Sequence, residues 1–464
     1  MTRIRSFTRI ATALLLTAIV AAPLFAARGS ANFTTFVAIG DSYGAGFQSG
    51  SLNVNHQRFS WPAIIARQAG VADFQQPLVS FPGIGNELQL VDIIHFPPTI
   101  LPATGSGQPI NLNLPRPYNN LSVVGATVTD VITLIGKEQA TNTARIFAQF
   151  ILRGLGTEVD QALAQKPTFI AIWIGGNDVL GAVLAGTPAV LTPLDTFRTS
   201  YNAMLDKLVA GAPAAGMVVG NLPNNVLALP YLTTVPPVLI DPATRKPVLG
   251  PNGAPISFVA DLGGGVIGQL PAGSFVLLPA SSKIASGYGI PMSLASIPPF
   301  NQLPNVGKPL ADTDVLTPTE QAAILARVND FNTVINQAAA QRDIPVADIK
   351  GLFDRVAAGM FVGPIPLSAA YITGGFFSLD GFHLTDIGYT LFADEYIKTI
   401  NAAYGSNIPL APLSDFLQNN GVTTSSGAVV IDGTLFEMSQ EAADAIWTFA
   451  PPVPATRHRS VRNE

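Results

Sequence analysis

Two short stretches of this 464-residue chain contain residue types that could do chemistry together. Residues 40–44 read Gly-Asp-Ser-Tyr-Gly, so that Ser42 lies between glycines directly after an apolar run. Residues 380–383 read Asp-Gly-Phe-His and place a carboxylate three residues before an imidazole. A serine hydroxyl needs a base to take its proton, and a carboxylate can hold a histidine in the tautomer that does so. We therefore predict Ser42 as nucleophile, His383 as base and Asp380 as the group that orients the base.

The choice of base is narrow because the chain has only four histidines. His458 lies in the basic C-terminal tail, and His95 lies in an apolar, proline-rich loop. His56 lies in a polar loop after Ser42, where substrate contact is an alternative to an ordinary loop role. Only His383 has a carboxylate at close spacing on a glycine-containing loop, so the base is assigned to it.

An acyl-transfer site also needs donors that stabilise the oxyanion, each typically contributing about 100- to 1000-fold in rate. Gly125 follows a short apolar run and can offer an unhindered backbone N–H. Asn177 follows a long apolar run and can offer its side-chain amide, although a helix N-cap is an alternative role. We predict both as oxyanion donors.

These residues must be positioned by the elements around them. Apolar runs typical of strands buried on both faces cover residues 34–39, 121–124, 168–174, 216–220 and 344–349. Helical patterns lie between them, at residues 61–69, 194–210, 317–341 and 386–403. The third helix has Thr317 as its N-cap and Glu320 closing a capping box. The alternation predicts an α/β fold with a parallel sheet, whose carboxyl edge, where Ser42 lies, is the usual ligand site.

The pattern is interrupted between the strand at 216–220 and the helix at 317. Residues 224–316 are rich in proline and glycine and contain short extended pieces at 256–260 and 274–278. Because a structureless loop of this length is rare in a compact domain, we expect a β-rich insertion near the rim of the sheet. It is either a lid or substrate-binding wall or a surface embellishment. The loop-rich stretch 75–117 could also line the site.

The composition restricts the partners and the compartment. Apolar residues make up 48% of the chain, charged residues only 12%, and the net charge is −5. A negative chain has no excess of phosphate-neutralising charge, which argues against a nucleic-acid partner. The few charges are typical of an extracytoplasmic protein and favour contact with lipid or a membrane surface. The sequence gives no oligomeric state.

The N-terminus has the pattern of a secretory signal peptide. Arginines at 3, 5 and 9 precede an apolar stretch at 10–22 that is short for a membrane span, and small residues follow. We expect a signal peptide at 1–31, a catalytic domain at 32–405 and a C-terminal extension at 406–464 with a disordered tail. An uncleaved anchor is the alternative. The chain has no cysteine, so it is not a lipoprotein and has no disulfide or thiol nucleophile.

Four motifs in order, at residues 40–43, 120–127, 175–178 and 380–383, resemble those of the SGNH hydrolases, also called GDSL esterases and lipases. Tyr43 stands where the family's name-giving motif has leucine. The resemblance covers about residues 34–403 apart from the insertion. It implies a three-layer α/β/α, flavodoxin-like fold and no metal or organic cofactor. It further implies that the Ser42 N–H, the Gly125 N–H and the Asn177 amide form the oxyanion hole, with His383 acting as base and then as acid.

The pentapeptide at 40–44 also matches the Gly-x-Ser-x-Gly elbow of the α/β-hydrolases. That fold places several strands before its nucleophile, whereas Ser42 follows only one. It also separates the acid from the histidine by a longer stretch, and its His-Gly-Gly-Gly motif is absent, since Gly263 to Gly265 follow Leu262. The context therefore favours the SGNH hydrolases.

The expected function is a secreted carboxylic ester hydrolase, with a lipid ester as the leading substrate. A carbohydrate O-acetyl esterase is the alternative within this chemistry, and Trp61 and Tyr118 could stack a sugar, although core packing explains them as well. Transfer of the acyl group to an acceptor other than water stays open. A non-catalytic surface binding protein on the same scaffold is the alternative from another class.

Overall fold

A computed structural model describes residues 27–92, 98–242, 244–363 and 365–412, together with the backbone of 429–431 and 434–436. The strands are β1 (Phe36–Gly40), β2 (Leu88–Asp92), β3 (Thr99–Pro102), β4 (Phe169–Trp173), β5 (Gly216–Gly220), β6 (Val259–Asp261), β7 (Ile267–Gln269), β8 (Phe275–Val276), β9 (Val315–Leu316), β10 (Val346–Ala347), β11 (Met360–Val362), β12 (Ile365–Leu367), β13 (Val429–Ile431) and β14 (Thr434–Phe436).

The helices span between one and six turns. They are α1 (Ser42–Ala45), α2 (Val54–Gln57), α3 (Trp61–Gln68), α4 (Asp130–Thr133), α5 (Thr143–Ile151), α6 (Glu158–Ala164), α7 (Asn177–Ala185), α8 (Leu194–Gly211), α9 (Pro230–Thr233), α10 (Ala280–Ala285), α11 (Pro318–Ala340), α12 (Ile349–Ala358) and α13 (Asp386–Tyr404). Short 3₁₀ helices lie at Pro188–Val190, Asn225–Ala228, Met292–Leu294, Phe300–Gln302 and Asp312–Asp314.

A parallel sheet in the order β1-β4-β5-β10 forms the centre of the protein. Strands β1, β4 and β5 are buried along their whole length, as expected for parallel strands covered on both faces. The strands predicted at 34–39, 168–174 and 216–220 are confirmed, and the one at 344–349 is reduced to β10.

The strand predicted at residues 121–124 does not form. The segment runs beside β1 with one parallel bridge, between Asn120 and Ala38. The amides of Leu121 and Val123 donate to carbonyls of β1 at 2.9 and 3.0 Å. The chain then turns at Gly125, whose φ of +84° ends the extended conformation. With this segment counted second, the order across the sheet is 2-1-3-4-5, the flavodoxin-like order.

Two groups of helices cover the sheet. Helices α3 and α12 pack against α13, which also contacts β5 and β10. In the other group α6 and α11 pack against α8, and α6 contacts β1. Helix α11 starts with the predicted capping box, in which Thr317 and Glu320 satisfy each other's backbone amides. The predicted α/β layered fold with a parallel sheet is confirmed.

Residues 224–316 form a small unit with its own hydrophobic cluster. Strands β6 and β7 make a hairpin, and β8 pairs with β9. Short helices and isolated β-bridges make up much of the rest. The cluster is centred on buried apolar side chains, among them Phe258, Val276 and Leu310.

Some sequence predictions concern residues outside the described part of the chain. The signal peptide at 1–31 lies there except for its last five residues, as does most of the C-terminal extension. His95 and His458 also lie outside it. Among the described helices, none combines the length and apolar character that crossing a membrane requires.

Candidate active site

Ser42 lies where the first strand of the sheet becomes a helix. It is the first residue of the one-turn helix α1 and is 3% exposed. Asp41 precedes it as the N-cap and accepts a hydrogen bond from the Tyr43 N–H at 3.0 Å. Gly46 ends the helix in the left-handed conformation, with φ of +77°. The turn therefore holds the serine at the carboxyl edge of the sheet, as the sequence predicts.

Asp380 and His383 form a tight pair on the loop before α13. The His383 Nδ1 lies 2.8 Å from the Asp380 Oδ2. The other carboxylate oxygen accepts from the backbone amides of Phe382 and His383 at 3.1 and 2.9 Å. Gly381 makes the turn possible, because its φ is +82° and a Cβ there would lie 2.9 Å from the Tyr231 backbone nitrogen.

The electrostatics of the pair favour a charged aspartate. Burial opposes ionisation of Asp380, but the charge of His383 and the hydrogen bonds that the carboxylate accepts lower its pKa to about 2. An ionised Asp380 fixes the hydrogen of the imidazole on Nδ1, which leaves Nε2 with a free lone pair. That Nε2 is buried and has no hydrogen-bond partner among the described residues. In its neutral form, with the hydrogen on Nδ1, the ring would have the tautomer that a general base needs.

Three donors at the same edge of the sheet fit the predicted oxyanion hole. The N–H groups of Ser42 and Gly125 donate to no described acceptor. Asn177 starts helix α7, and its Nδ2 donates one hydrogen to the Ala126 carbonyl at 2.9 Å. A side-chain amide has two hydrogens, so one remains for a ligand. The bond to Ala126 also ties Asn177 to the segment that carries Gly125.

Three further contacts that the sequence did not reveal position the site. The Gly50 N–H donates to the Asp380 Oδ2 at 2.8 Å. The Tyr43 hydroxyl donates to the Phe382 carbonyl at 2.6 Å, so the residue that departs from the family motif holds the histidine loop. The Glu158 Oε2 accepts from the Gly40 N–H at 3.0 Å, at the end of β1. The partners in these contacts are 118 to 339 residues apart in the sequence, which leaves no local signal to detect.

Glu158 is buried in the protein, which is unusual for an acidic side chain. Burial raises its pKa well above the ordinary value, against the hydrogen bond from Gly40, and the nearby charge of Asp41 adds to the rise. The pKa of Asp41 is raised well above its usual range by burial as well. Burial therefore makes both carboxyl groups beside the nucleophile harder to ionise than ordinary ones.

The surroundings of His56 favour a structural role over contact with substrate. It is 4% exposed and lies between two carboxylates, with its Nδ1 2.9 Å from Asp386 and its Nε2 3.4 Å from Glu87. Burial opposes its protonation, but the two carboxylates raise its pKa well above the ordinary value. The described cavity beside Ser42 is not lined by His56, so substrate contact by this residue is not supported.

The first part of the insertion reaches the site. The Tyr231 N–H in α9 donates to the Gly381 carbonyl at 3.0 Å, and its ring packs edge-on against Phe382 at 5.8 Å. Pro223, just before the insertion, and Val226 and Leu229 within it line the cavity beside Ser42. This segment thus forms a wall of the site. Within the described ranges, no group of three or more His, Asp and Glu side chains could hold a metal ion.

A parallel α/β sheet with these groups at its carboxyl edge has the architecture of an enzyme of the α/β class. The sequence matches the family described as GDSL-like Lipase/Acylhydrolase over residues 36–396. The match covers well over half of the chain. The protein belongs to the GDSL-like lipase/acylhydrolase family and is an ester-bond hydrolase, which confirms the resemblance to the SGNH hydrolases.

Comparison with solved structures finds distant relatives, while no curated protein matches the chain in sequence. Phospholipase A1 from Streptomyces albidoflavus NA297 is 14% identical over 82% of this chain and 100% of its own, with a TM-score of 0.32. An extracellular lipase from Streptomyces rimosus is 16% identical over 79% and 98%, with a TM-score of 0.31. A family 3 carbohydrate esterase from Clostridium thermocellum is 12% identical over 80% and 96%, with a TM-score of 0.31. At such values the matches do not discriminate between substrates.

Proposed function

We propose that the protein is a secreted serine esterase that hydrolyses carboxylic esters through an acyl-enzyme on Ser42. Asp380 orients His383, and the N–H groups of Ser42 and Gly125 and the Asn177 amide bind the oxyanion. The observation that carries the proposal is the placement of the imidazole. Its Nδ1 lies 2.8 Å from a carboxylate oxygen of Asp380, and its Nε2 is buried beside α1 with no described partner.

The first half of the reaction forms the acyl-enzyme. The Ser42 oxygen attacks the ester carbonyl carbon while its proton moves to the Nε2 of His383. The carbonyl oxygen becomes negative and is held by the three donors. The bond between the carbonyl carbon and the alcohol oxygen then breaks, and His383 returns the proton to the departing alcohol.

The second half releases the acid. A water molecule gives one proton to His383 and attacks the acyl carbon through its oxygen. The bond to Ser42 breaks, the serine regains the proton from His383, and a carboxylic acid leaves. Every proton taken by the imidazole is returned within one cycle.

The position of the histidine supports this assignment. Its ring packs between Phe47 and Phe382, with centroid distances of 4.8 and 4.5 Å, and lies 5.8 Å from the Tyr43 ring. Phe47 follows helix α1, and its N–H donates to the Ser42 carbonyl at 3.0 Å. The imidazole is thus packed against both ends of the helix that begins with Ser42. The Nε2 of His383 has no described hydrogen-bond partner, so no hydrogen bond joins it to Ser42 in this structure. In the absence of substrate, the distance between a catalytic nucleophile and its base is often longer than a hydrogen bond.

The two aromatic residues considered for sugar stacking do not support a glycan substrate. Trp61 is fully buried and stacks on Tyr396 at 4.7 Å. Tyr118 is 1% exposed and packs under the Arg153 guanidinium at 4.2 Å. Neither ring has a free face for a sugar. Secretion is supported by the arginines and the apolar stretch of the first 22 residues.

The test is hydrolysis of p-nitrophenyl esters by the purified chain without residues 1–31 and by two variants. Ser42→Ala and His383→Ala are each expected to lower kcat by at least about 1000-fold, since triad members act as a unit. Ser282→Ala, on the exposed side of α10, is the matched serine control and should retain wild-type kcat. Wild-type kcat in the folded Ser42→Ala variant would contradict the proposal.

A further inference from the structure

A cavity opens directly beside Ser42, between the sheet edge and the start of the insertion. Ser42 and Asn177 lie on its wall together with apolar side chains from four different segments. These are Leu180 on α7, Val226 and Leu229 after β5, Phe353 on α12 and Phe382 on the histidine loop. The cavity is therefore continuous with the proposed reaction centre.

The polar side chains on the cavity wall are already engaged with the protein. The Tyr43 hydroxyl donates to the Phe382 carbonyl at 2.6 Å, and the Trp173 Nε1 donates to the Asn221 carbonyl at 3.2 Å. The Asp41 carboxyl accepts from the backbone at 3.0 Å. Apart from Ser42, Asn177 and the second oxygen of the Asp41 carboxyl, the side chains of the wall are apolar or have their polar atoms bonded to the protein. A sugar ring would lose most of its hydrogen bonds to water here without replacement, whereas a hydrocarbon chain would not.

The size of the cavity limits what it can hold. Its volume is about 50 Å³. One water-sized atom takes about 10–15 Å³ of such volume. The cavity therefore has room for about four water-sized groups. A longer chain would have to displace the walls or extend into solvent.

The two sides of the ester can be told apart by the position of the base. His383 must reach the alcohol oxygen to protonate it. His383 does not line the cavity, whereas Asn177, a proposed oxyanion donor, does. The group in the cavity is thus attached on the other side of the carbonyl carbon from the alcohol, which makes it the acyl chain.

We propose that this cavity is an acyl pocket for a short chain of about four carbons, with Leu180 and Phe353 among the side chains that limit its size. The proposal rests on the proposed esterase function and adds the substrate class. The substrates are short-chain carboxylic esters, with the alcohol part facing His383 and the solvent. Each methylene added to the acyl chain raises kcat/KM as long as the pocket can bury it. Methylenes that extend beyond the pocket do not raise kcat/KM further.

Leu180 is the better position for substitution, because it is half-buried and its replacement disturbs the core less. Phe353 is 4% exposed and packs against Phe376 in the core. The assay measures kcat/KM for p-nitrophenyl acetate, butyrate and octanoate. The wild type should prefer butyrate to acetate and to octanoate by at least about tenfold each, as expected for methylenes in a fitted apolar pocket.

Leu180→Ala lengthens the pocket and should raise the octanoate-to-butyrate ratio at least about fivefold. Leu180→Trp fills it and should lower the butyrate-to-acetate ratio at least about tenfold. Val190→Ala and Val190→Trp are matched controls, because Val190 is 56% exposed and lies outside the cavity, so both ratios should stay at wild-type values.

The outcomes separate this proposal from the esterase function. If hydrolysis depends on Ser42 but octanoate is preferred, or if both Leu180 variants keep the wild-type ratios, the acyl pocket is refuted and the esterase stands. If p-nitrophenyl acetate is hydrolysed faster than the butyrate, the assignment of the cavity to an acyl chain longer than acetyl is wrong. If Ser42→Ala retains wild-type hydrolysis of every ester, the esterase function itself fails.

Discussion

Replacing Asp380 with asparagine tests the electrostatic arrangement of the site. The carboxylate accepts hydrogen bonds from three backbone amides, those of Gly50, Phe382 and His383, and from the His383 ring. An asparagine oxygen could replace Oδ1 and keep the two loop amides. Its NH₂ group would then face the Gly50 N–H and the imidazole Nδ1–H, which are both donors. The ring can avoid this conflict by moving its hydrogen to Nε2, and it then cannot act as a base.

The expected cost in activity is large and that in stability moderate. A wrong tautomer lowers kcat by about 10³- to 10⁴-fold with little change in KM. The pKa of Asp380 falls from the ordinary value of 3.8 to about 2 on folding. The ionised group therefore contributes about 2 kcal/mol above pH 4, and this contribution is lost as the pH falls towards 2. Asp380→Asn should lower the free energy of unfolding by about that amount at pH 7 and by less near pH 2.

The assay combines ester hydrolysis with urea unfolding. Asp386→Asn is the matched control, because the carboxylate of Asp386 is also buried and lies 2.9 Å from the ring of His56, outside the site. It should retain wild-type kcat in the folded protein. The reasoning would be refuted if folded Asp380→Asn kept more than about a tenth of the wild-type kcat, because the tautomer would then not matter.

Three other changes test the oxyanion hole and the buried carboxyl groups. Asn177→Ala should lower kcat by about 100- to 1000-fold with KM little changed, and a loss of less than about tenfold would remove it from the hole. Glu158→Ala leaves the buried Gly40 N–H unpaired and should lower the free energy of unfolding by about 1–3 kcal/mol, while Glu158→Gln keeps an acceptor and should lose less; equal losses in urea unfolding would contradict this. Burial raises the pKa of Asp178 to about 6, so the folded state gains relative stability below pH 4 and loses it as the pH rises through 6. Asp178→Asn should remove about 3 kcal/mol of that pH dependence between pH 4 and 7, and an unchanged difference between the two proteins across this range would be evidence against it.

The elements that the sequence predicts best are those whose signal is local. Strands β1, β4 and β5 are continuous apolar runs, because both of their faces are covered. Helix α11 is marked by its capping box. The segment after Asn120 has the same apolar character, but Gly125 turns the chain before a ladder can form. Burial alone therefore does not distinguish a strand from an extended segment beside one.

The proposed reacting residues follow from motifs in the sequence, whereas the contacts that support them do not. The pair Asp380 and His383 is close in sequence, so its geometry follows from one glycine-containing turn. Glu158 reaches the end of β1 from 118 residues away, and the hydroxyl of Tyr43 reaches the histidine loop from 339 residues away. Such contacts depend on how the helices pack on the sheet, which no local pattern records.

The insertion at residues 224–316 could be predicted from the sequence only in part. Proline and glycine mark its limits, and its short extended pieces appear as β6 and β8. Its contribution to the site depends on long-range packing, in which Tyr231 contacts the histidine loop and Leu229 lines the cavity. Of the two alternatives, these contacts favour a substrate-binding wall for its first ten residues.

The most direct test of the account is to locate the acyl-enzyme. The protein is incubated with a fluorophosphonate, which reacts with activated serines, and the labelled peptide is identified by mass spectrometry. The account predicts one modified residue, Ser42, with labelling abolished in Ser42→Ala and strongly slowed in His383→Ala. Labelling of another serine, or equal labelling of the His383→Ala variant, would contradict the proposed nucleophile and base.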